Sequence, residues 1–168
     1  QAEEALRRSE EYFRALIENS MDIISVLNSD GTFRYQSPSI QPLLGHAPPE
    51  LVGRDVFGFV HPDDRSRIRQ AFSEILAGQR PGALNEVRFH HKDGTWRYVE
   101  ALGTNLLDDP STMGLVVNIR DVTEQKRGEL EKQALYEIMQ GMALSQNLNE
   151  FLNLVHFSIS RVIRAENL

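Results

Sequence analysis

Residues 89–100 read F-H-H-K-D-G-T-W-R-Y-V-E, residues 114–126 read G-L-V-V-N-I-R-D-V-T-E-Q-K, and the fold turns on these two pieces. In the first, Asp93-Gly94 supplies the positive φ of a tight hairpin, and Tyr98 and Val99 suit the pleated strand that follows. In the second, the apolar run 115–117 with Ile119 has the length of a central strand, and it passes at once into charged helix formers. The pattern predicts a strand that leaves its sheet at Asp121-Val122-Thr123 and becomes a helix. Such a junction is a mechanical outlet, because strain in the sheet reaches the helix through one continuous backbone.

Outward from this stretch the same logic extends to both ends. Leu6, Phe13, Leu16 and Ile17 form a helical stripe, which predicts an amphipathic flanking helix within residues 1–20. Residues 21–27 are rich in Ile and Val and read as a buried strand; Asn28-Ser29-Asp30-Gly31 is a turn, and 32–36 is the returning strand. Segments 38–44 and 48–51 read as short helical turns, punctuated by proline at first helical positions and by Gly45. Asp63 or Asp64 is expected to cap a helix whose Ile68, Phe72, Ile75 and Leu76 share a face, with Gly78 ending it. A strand over 84–91, the hairpin and the loop 107–113 complete the sheet.

Beyond Thr123 a long helix is predicted to about residue 146. Its stripe of Leu130, Ala134, Leu135, Ile138 and Met142 is expected to face a second copy, so a homodimer is expected. A further helix begins near Asn149, with Phe151, Leu152, Val155, Ile159, Val162 and Ile163 at spacings of three and four. The fold class is α+β: a five-stranded antiparallel sheet with short helices on one face, flanked by N-terminal and long C-terminal helices. The divisions are a flanking helix over 1–20, a sheet domain over 21–124, a helical linker over 125–147 and a last helix over 148–168.

Composition removes several functions. The net charge of −6 over 168 residues offers no basic footprint for nucleic acid. With no cysteine, there is no disulfide framework, thiolate nucleophile or cysteine-ligated metal. No apolar run approaches the roughly 20 residues that span a bilayer. The amino end, Q-A-E-E-A-L-R-R, has neither an initiating methionine nor the apolar stretch of a signal peptide, so a piece of a larger, cytoplasmic protein is expected.

Several stretches together resemble the PAS sensory family. Gly94 to Glu100 resembles its G-x-x-R-W-V-E strand, with Tyr98 where tryptophan is usual, and Asp121-Val122-Thr123 resembles its terminal D-I-T. His61-Pro62-Asp63-Asp64-Arg65 matches the H-P-D-D-R that opens the family's helix F. S-P-S-I-Q-P-L-L-G at 37–45 and P-P-E-L-V-G at 48–53 resemble further family elements. The resemblance implies a sensory module with Asp121 and Thr123 coupling sheet to linker. The last helix, S-Q-N-L-N-E-F-L-N-L-V onward, resembles the opening of a GAF domain.

Candidate chemistry is sparse. His90 and His91 are adjacent on a strand and point to opposite faces, so they do not chelate together. His46 and His61 stand singly near turns. The resemblance places an axial haem histidine in helix F, and residues 65–78 contain none; the family's cysteinyl photochemistry needs a thiol. Haem and cysteinyl adducts are therefore disfavoured, and the cofactor is left unknown. His156 sits on a helix where a histidine kinase keeps its phosphoacceptor, yet Phe157 stands where an acidic residue is usual. A buried or interfacial role fits it better. Neither a nucleophile–base pair nor a metal constellation is visible, which argues against catalysis.

The remaining positive signal is apolar. Ile24, Val26, Tyr35, Ile40, Leu44, Phe57, Val60, Ile68, Phe72, Val87, Phe89, Val117 and Ile119 either line a central pocket for a small apolar or mixed-polarity ligand or fill the core. The function expected is a regulatory input module of a histidine-kinase or cyclic-dinucleotide signalling protein, passing a change in the sheet to a dimeric helix. The alternative is a ligand-free interaction and dimerisation module.

Overall fold

The computed structural model describes residues 4, 7, 8, 11, 12, 15–17, 20, 22–79, 82–144 and 148–167, with 82, 83, 85, 142–144 and 164–167 described by backbone only. The chain forms two compact units, residues 1–121 and 122–168.

In the first unit, the described residues among 4–17 are helical, stitched by the i,i+4 pairs Arg7–Glu11 and Arg8–Glu4. Leu6 and Phe13 lie outside the described residues. Five strands follow: β1 (Ile23–Leu27), β2 (Phe33–Gln36), β3 (Gly82–His90), β4 (Trp96–Leu106) and β5 (Gly114–Asp121). They form one antiparallel sheet in the order β2-β1-β5-β4-β3. The first and last strands of the domain are thus central neighbours, with Ile23 opposite Ile119 and Leu27 opposite Leu115.

The turns hold for local reasons. Asp93 accepts from the Thr95 amide and hydroxyl at 2.8 and 2.7 Å, and Gly94 takes φ 92° between β3 and β4. The Thr95 hydroxyl and amide hold the Asp93 carboxyl well below the usual carboxylate range. Between β1 and β2, Gly31 has φ 87°, and a Cβ there would come within 2.7 Å of the Phe57 ring. Only glycine satisfies both demands.

Between β2 and β3 run α1 (Ile40–Leu44), α2 (Pro48–Leu51), a 3-10 turn (Val56–Gly58) and α3 (Pro62–Leu76). The expected cap of α3 is corrected. His61 occupies the N-cap, its Nδ1 accepting from the Asp63 amide at 3.2 Å, while Asp63 and Asp64 lie in the first turn. Asp64 is instead committed to β3. Its carboxylate accepts from the Arg88 amide, Nε and Nη2 at 3.1, 3.0 and 3.0 Å. Burial alone would raise the Asp64 carboxyl; the Arg88 hydrogen bonds and charge outweigh it and hold it below its ordinary value.

The core lies between the helices and one face of the sheet, where Phe33, Ile40, Leu43, Leu44, Leu51, Val60, Val87, Val99 and Leu115 are almost wholly buried. Phe57 meets Phe72 edge-on at 5.4 Å, and Phe33 tilts against Phe59 at 5.8 Å.

The second unit is a helical pair, α4 (Thr123–Leu144) and α5 (Leu148–Asn167). Glu137 of α4 pairs with Arg161 at 2.8 Å and accepts from the Ser158 hydroxyl at 3.2 Å. Four residues further on, a Cβ at Gly141 would collide with Leu154. Partner numbers fall as helix numbers rise, so the two helices run antiparallel. The Arg161 guanidinium holds the Glu137 carboxyl below its ordinary value.

Candidate functional site

Between α3 and the sheet lies an apolar cavity of about 50 Å³. Its walls come from β1 (Ser25, Leu27), β2 (Phe33), the 3-10 turn (Val56, Phe57), α3 (Ile68, Phe72, Ile75), β3 (Leu84, Val87, Phe89), β4 (Ala101, Gly103) and β5 (Leu115, Val117, Ile119). The reason for a gap at this place is side-chain size. β4 turns Val99, Ala101 and Gly103 inward at period two, and the last two leave room opposite α3. A Cβ on Gly103 would come within 2.9 Å of Ile75 Cδ1. The space is small: one water takes about 30 Å³ of liquid, and pockets for drug-sized ligands run to roughly 300 Å³ or more.

Of the positions expected from sequence, Phe57, Ile68, Phe72, Val87, Phe89, Val117 and Ile119 lie in the wall. Ile40, Leu44 and Val60 are buried in the core away from it. Ile24, Val26 and Tyr35 require correction. Along β1 the buried positions are Ile23, Ser25 and Leu27, so Ile24 and Val26 belong to the opposite face. In β2 the pairing runs Leu27 to Phe33 but Val26 to Tyr35, which leaves Arg34 as an extra residue. This bulge resets the alternation, turning Phe33 and Gln36 inward and Tyr35 outward, where it is 42% exposed.

Two polar residues missed by the sequence reading sit beside the cavity. The buried Ser25 hydroxyl donates to Gln36 Oε1 at 2.7 Å, and Gln36 Nε2 has no acceptor among the described residues. Ser25 is the polar member of the cavity wall; Gln36 stands behind it. A serine and a glutamine within strands otherwise rich in apolar and aromatic residues are the one sequence signal that marked them.

At the outlet, β5 ends at Asp121 and α4 begins at Thr123, with the Lys126 amide closing the first turn onto the Val122 carbonyl at 2.8 Å. Asp121 is exposed and Thr123 is buried. The cap position immediately before α4 is therefore Val122.

The stripe expected to face a second copy is divided. Positions 130, 134, 137, 138 and 141 share the α4 face that holds α5, so Leu130, Ala134 and Ile138 belong to a seam within the chain; Ala134 is buried and the other two are half-buried. Leu135 points elsewhere and is 60% exposed. The side chain of Met142 lies outside the described residues. The physical reason is that the chain doubles back after α4, and a helix closes first on the nearest apolar face. His156, expected to be buried or interfacial, is exposed on α5.

His61 and His90 both meet Trp96 edge-on, at 4.6 and 5.0 Å. Among the described residues, no three His, Asp or Glu side chains converge as a metal site. No described helix is long and apolar enough to cross a membrane.

Comparison with known proteins agrees with this architecture. A family model described as PAS fold matches residues 33–118. The White collar 2 protein of Neurospora crassa is 32% identical over 88 residues, covering 52% of this chain and 16% of that protein. The blue light receptor lreA of Aspergillus flavus is 45% identical over 51 residues, 30% of this chain and 6% of that protein. The chain thus spans no more than a sixth of either relative. The PAS domain of an HTR-like protein from Haloarcula marismortui superposes with TM-score 0.57 at 25% identity, covering 71% of this chain and 97% of that one. A PAS domain from Colwellia psychrerythraea superposes with TM-score 0.60 at 21% identity, 68% of this chain and 97% of that one, and shares the fold. PAS domains are sensory and signalling modules without catalysis of their own. With its five-stranded antiparallel sheet, its helices on one face and a family match over half its length, the chain belongs to the PAS fold family.

Proposed function

We propose that the chain is the input module of a larger signalling protein, of histidine-kinase or cyclic-dinucleotide type, in which a change at the cavity passes along β5 into a dimeric helical outlet. The observation that carries this reading is β5 itself. Leu115, Val117 and Ile119 wall the cavity, and two residues beyond Ile119 the same strand ends, with the helix starting at Thr123. A molecule that displaces these side chains shifts the β5 backbone, and Asp121 and Thr123 stand where that shift enters α4. The volume suits a small apolar ligand of a few heavy atoms, and the Ser25 hydroxyl offers one polar contact. The blue light receptor name of one relative supports a sensory role.

Xenon, a small apolar atom that enters dry apolar cavities, is the probe. Methyl resonances of Ile75, Leu115 and Val117 are expected to shift under xenon pressure, together with a change in hydrogen exchange at the Lys126 amide. If the methyls do not respond, the space is part of a filled core and the domain is a ligand-free interaction and dimerisation module. If they respond while the Lys126 amide does not, coupling through β5 is wrong.

A further inference from the structure

One row of the inner sheet face runs Gln36, Ser25, Val117, Gly103 across β2, β1, β5 and β4, each residue paired in register with the next. Strands lie about 4.8 Å apart, so the row is about 14 Å long, with two polar side chains at one end and a glycine at the other. Ser25, Val117 and Gly103 line the cavity, and Gln36 stands behind Ser25. Ser25 and Gln36 are 1% and 3% exposed, which removes their polar atoms from bulk water. The pair cannot satisfy itself. It holds two donor groups, the Ser25 hydroxyl and the Gln36 carboxamide nitrogen. In the arrangement described above, the hydroxyl donates to Gln36 Oε1 at 2.7 Å and Nε2 has no acceptor among the described residues. Turning the carboxamide by about 180° exchanges its oxygen and nitrogen, groups of nearly equal size. Nε2 then donates to Ser25 Oγ, and the hydroxyl proton is free for an acceptor in the cavity that Ser25 lines. With the cavity empty, either arrangement leaves one buried donor over. Such a donor is costly, more so than a carbonyl oxygen left without a donor.

We propose that the cavity takes a small molecule with an acceptor oxygen and no donor, an ether or a carbonyl compound of a few heavy atoms. Its oxygen accepts from the Ser25 hydroxyl, its carbons lie over Val117, and Gln36 is the positioning residue that frees the hydroxyl by turning its carboxamide. Counting donors selects this class. An acceptor-only ligand pairs both donors of the Ser25–Gln36 pair. A hydrocarbon brings no acceptor, and an alcohol brings a donor of its own, so each leaves one donor over. A buried water makes about three hydrogen bonds, whereas Ser25 is the one polar side chain among the described residues of the wall. This deepens the sensory reading above and rests on it: the cavity and β5 are the same, and the Ser25–Gln36 pair decides which chemistry enters.

The test uses dimethyl ether and propane, alike in shape and heavy-atom count and different in the one acceptor, dissolved under pressure with the 168-residue chain. Affinities come from titrating the Leu115 and Val117 methyl resonances. The reference variant is Ser25→Ala with Gln36→Leu, which removes both polar groups and leaves no orphaned donor. Because each ligand is compared with itself across the two proteins, its transfer from water cancels. The double substitution is expected to weaken the ether at least about 10-fold and to change propane less than about 3-fold. A second readout needs no variant: the Gln36 side-chain amide protons are expected to shift with the ether and to stay in place with propane. Ethanol, which leaves one donor over, is expected to bind the wild type at least about 10-fold more weakly than the ether. An ether loss no larger than that of propane, a Gln36 amide that ignores the ether, or ethanol binding as tightly as the ether overturns the proposal. If xenon still enters and shifts the Lys126 amide, the sensory reading survives that failure. If xenon does not enter, both fall together.

Discussion

Replacing Asp64 with alanine removes the acceptor that ties the first turn of α3 to the edge strand β3. Three hydrogen bonds are lost, from the Arg88 amide, Nε and Nη2, and the guanidinium is left with its side chain 20% exposed. Losing one member of a fully buried pair costs about 3–5 kcal/mol. Asp64 is itself 13% exposed, and Asp63 already stands 3.7 Å from Arg88 as a partial substitute. Both reduce the loss, to about 2–3 kcal/mol. In a domain of this size that lowers Tm by roughly 10 °C. A double-mutant cycle with Arg88→Met is expected to return a coupling of about 2 kcal/mol. The pH dependence has a definite sign. The folded Asp64 carboxyl lies below its ordinary value of 3.8, so its contribution is fully present above that value and is lost as pH falls through the lowered folded value. The stability difference between wild type and Asp64→Ala, from urea unfolding, is therefore constant from pH 7 to 5 and shrinks on further acidification. A coupling under about 0.5 kcal/mol, or a difference that does not shrink in acid, would refute this account.

Gly31→Ala meets both a positive φ and the Phe57 ring, so it is expected to destabilise the sheet domain by about 2 kcal/mol or more in urea melts, whereas Gly53→Ala, with open space around it, meets only the backbone penalty of about 1 kcal/mol. Ser25→Ala leaves Gln36 Oε1 as well as Nε2 without a partner and is expected to cost about 1–2 kcal/mol; adding Gln36→Leu removes both orphaned groups and is expected to recover most of that loss.

Much of the fold was legible because it is written locally. The Asp93-Gly94 hairpin rests on one carboxylate and one positive φ, and the strand-to-helix change at 121–123 is a change of period within a few residues. The α+β class and five strands follow from such signals. The β1–β2 side of the cavity was not legible, since I-I-S-V-L in β1 is apolar at both parities and nothing within five residues says which face meets the helices. Pairing with β5 and the bulge at Arg34 decide it, and they turn Ser25, Phe33 and Gln36 inward in place of Ile24, Val26 and Tyr35. Likewise, the apolar period of α4 marks a buried face without naming its partner. The chain's reversal into α5 makes that partner its own next helix and moves the exposed apolar surface to the row that begins at Leu135. Periodicity along a helix or strand is a property of neighbours in sequence, so it is readable from sequence alone. What a face packs against depends on contacts between residues distant in the chain, and only the folded structure brings them together.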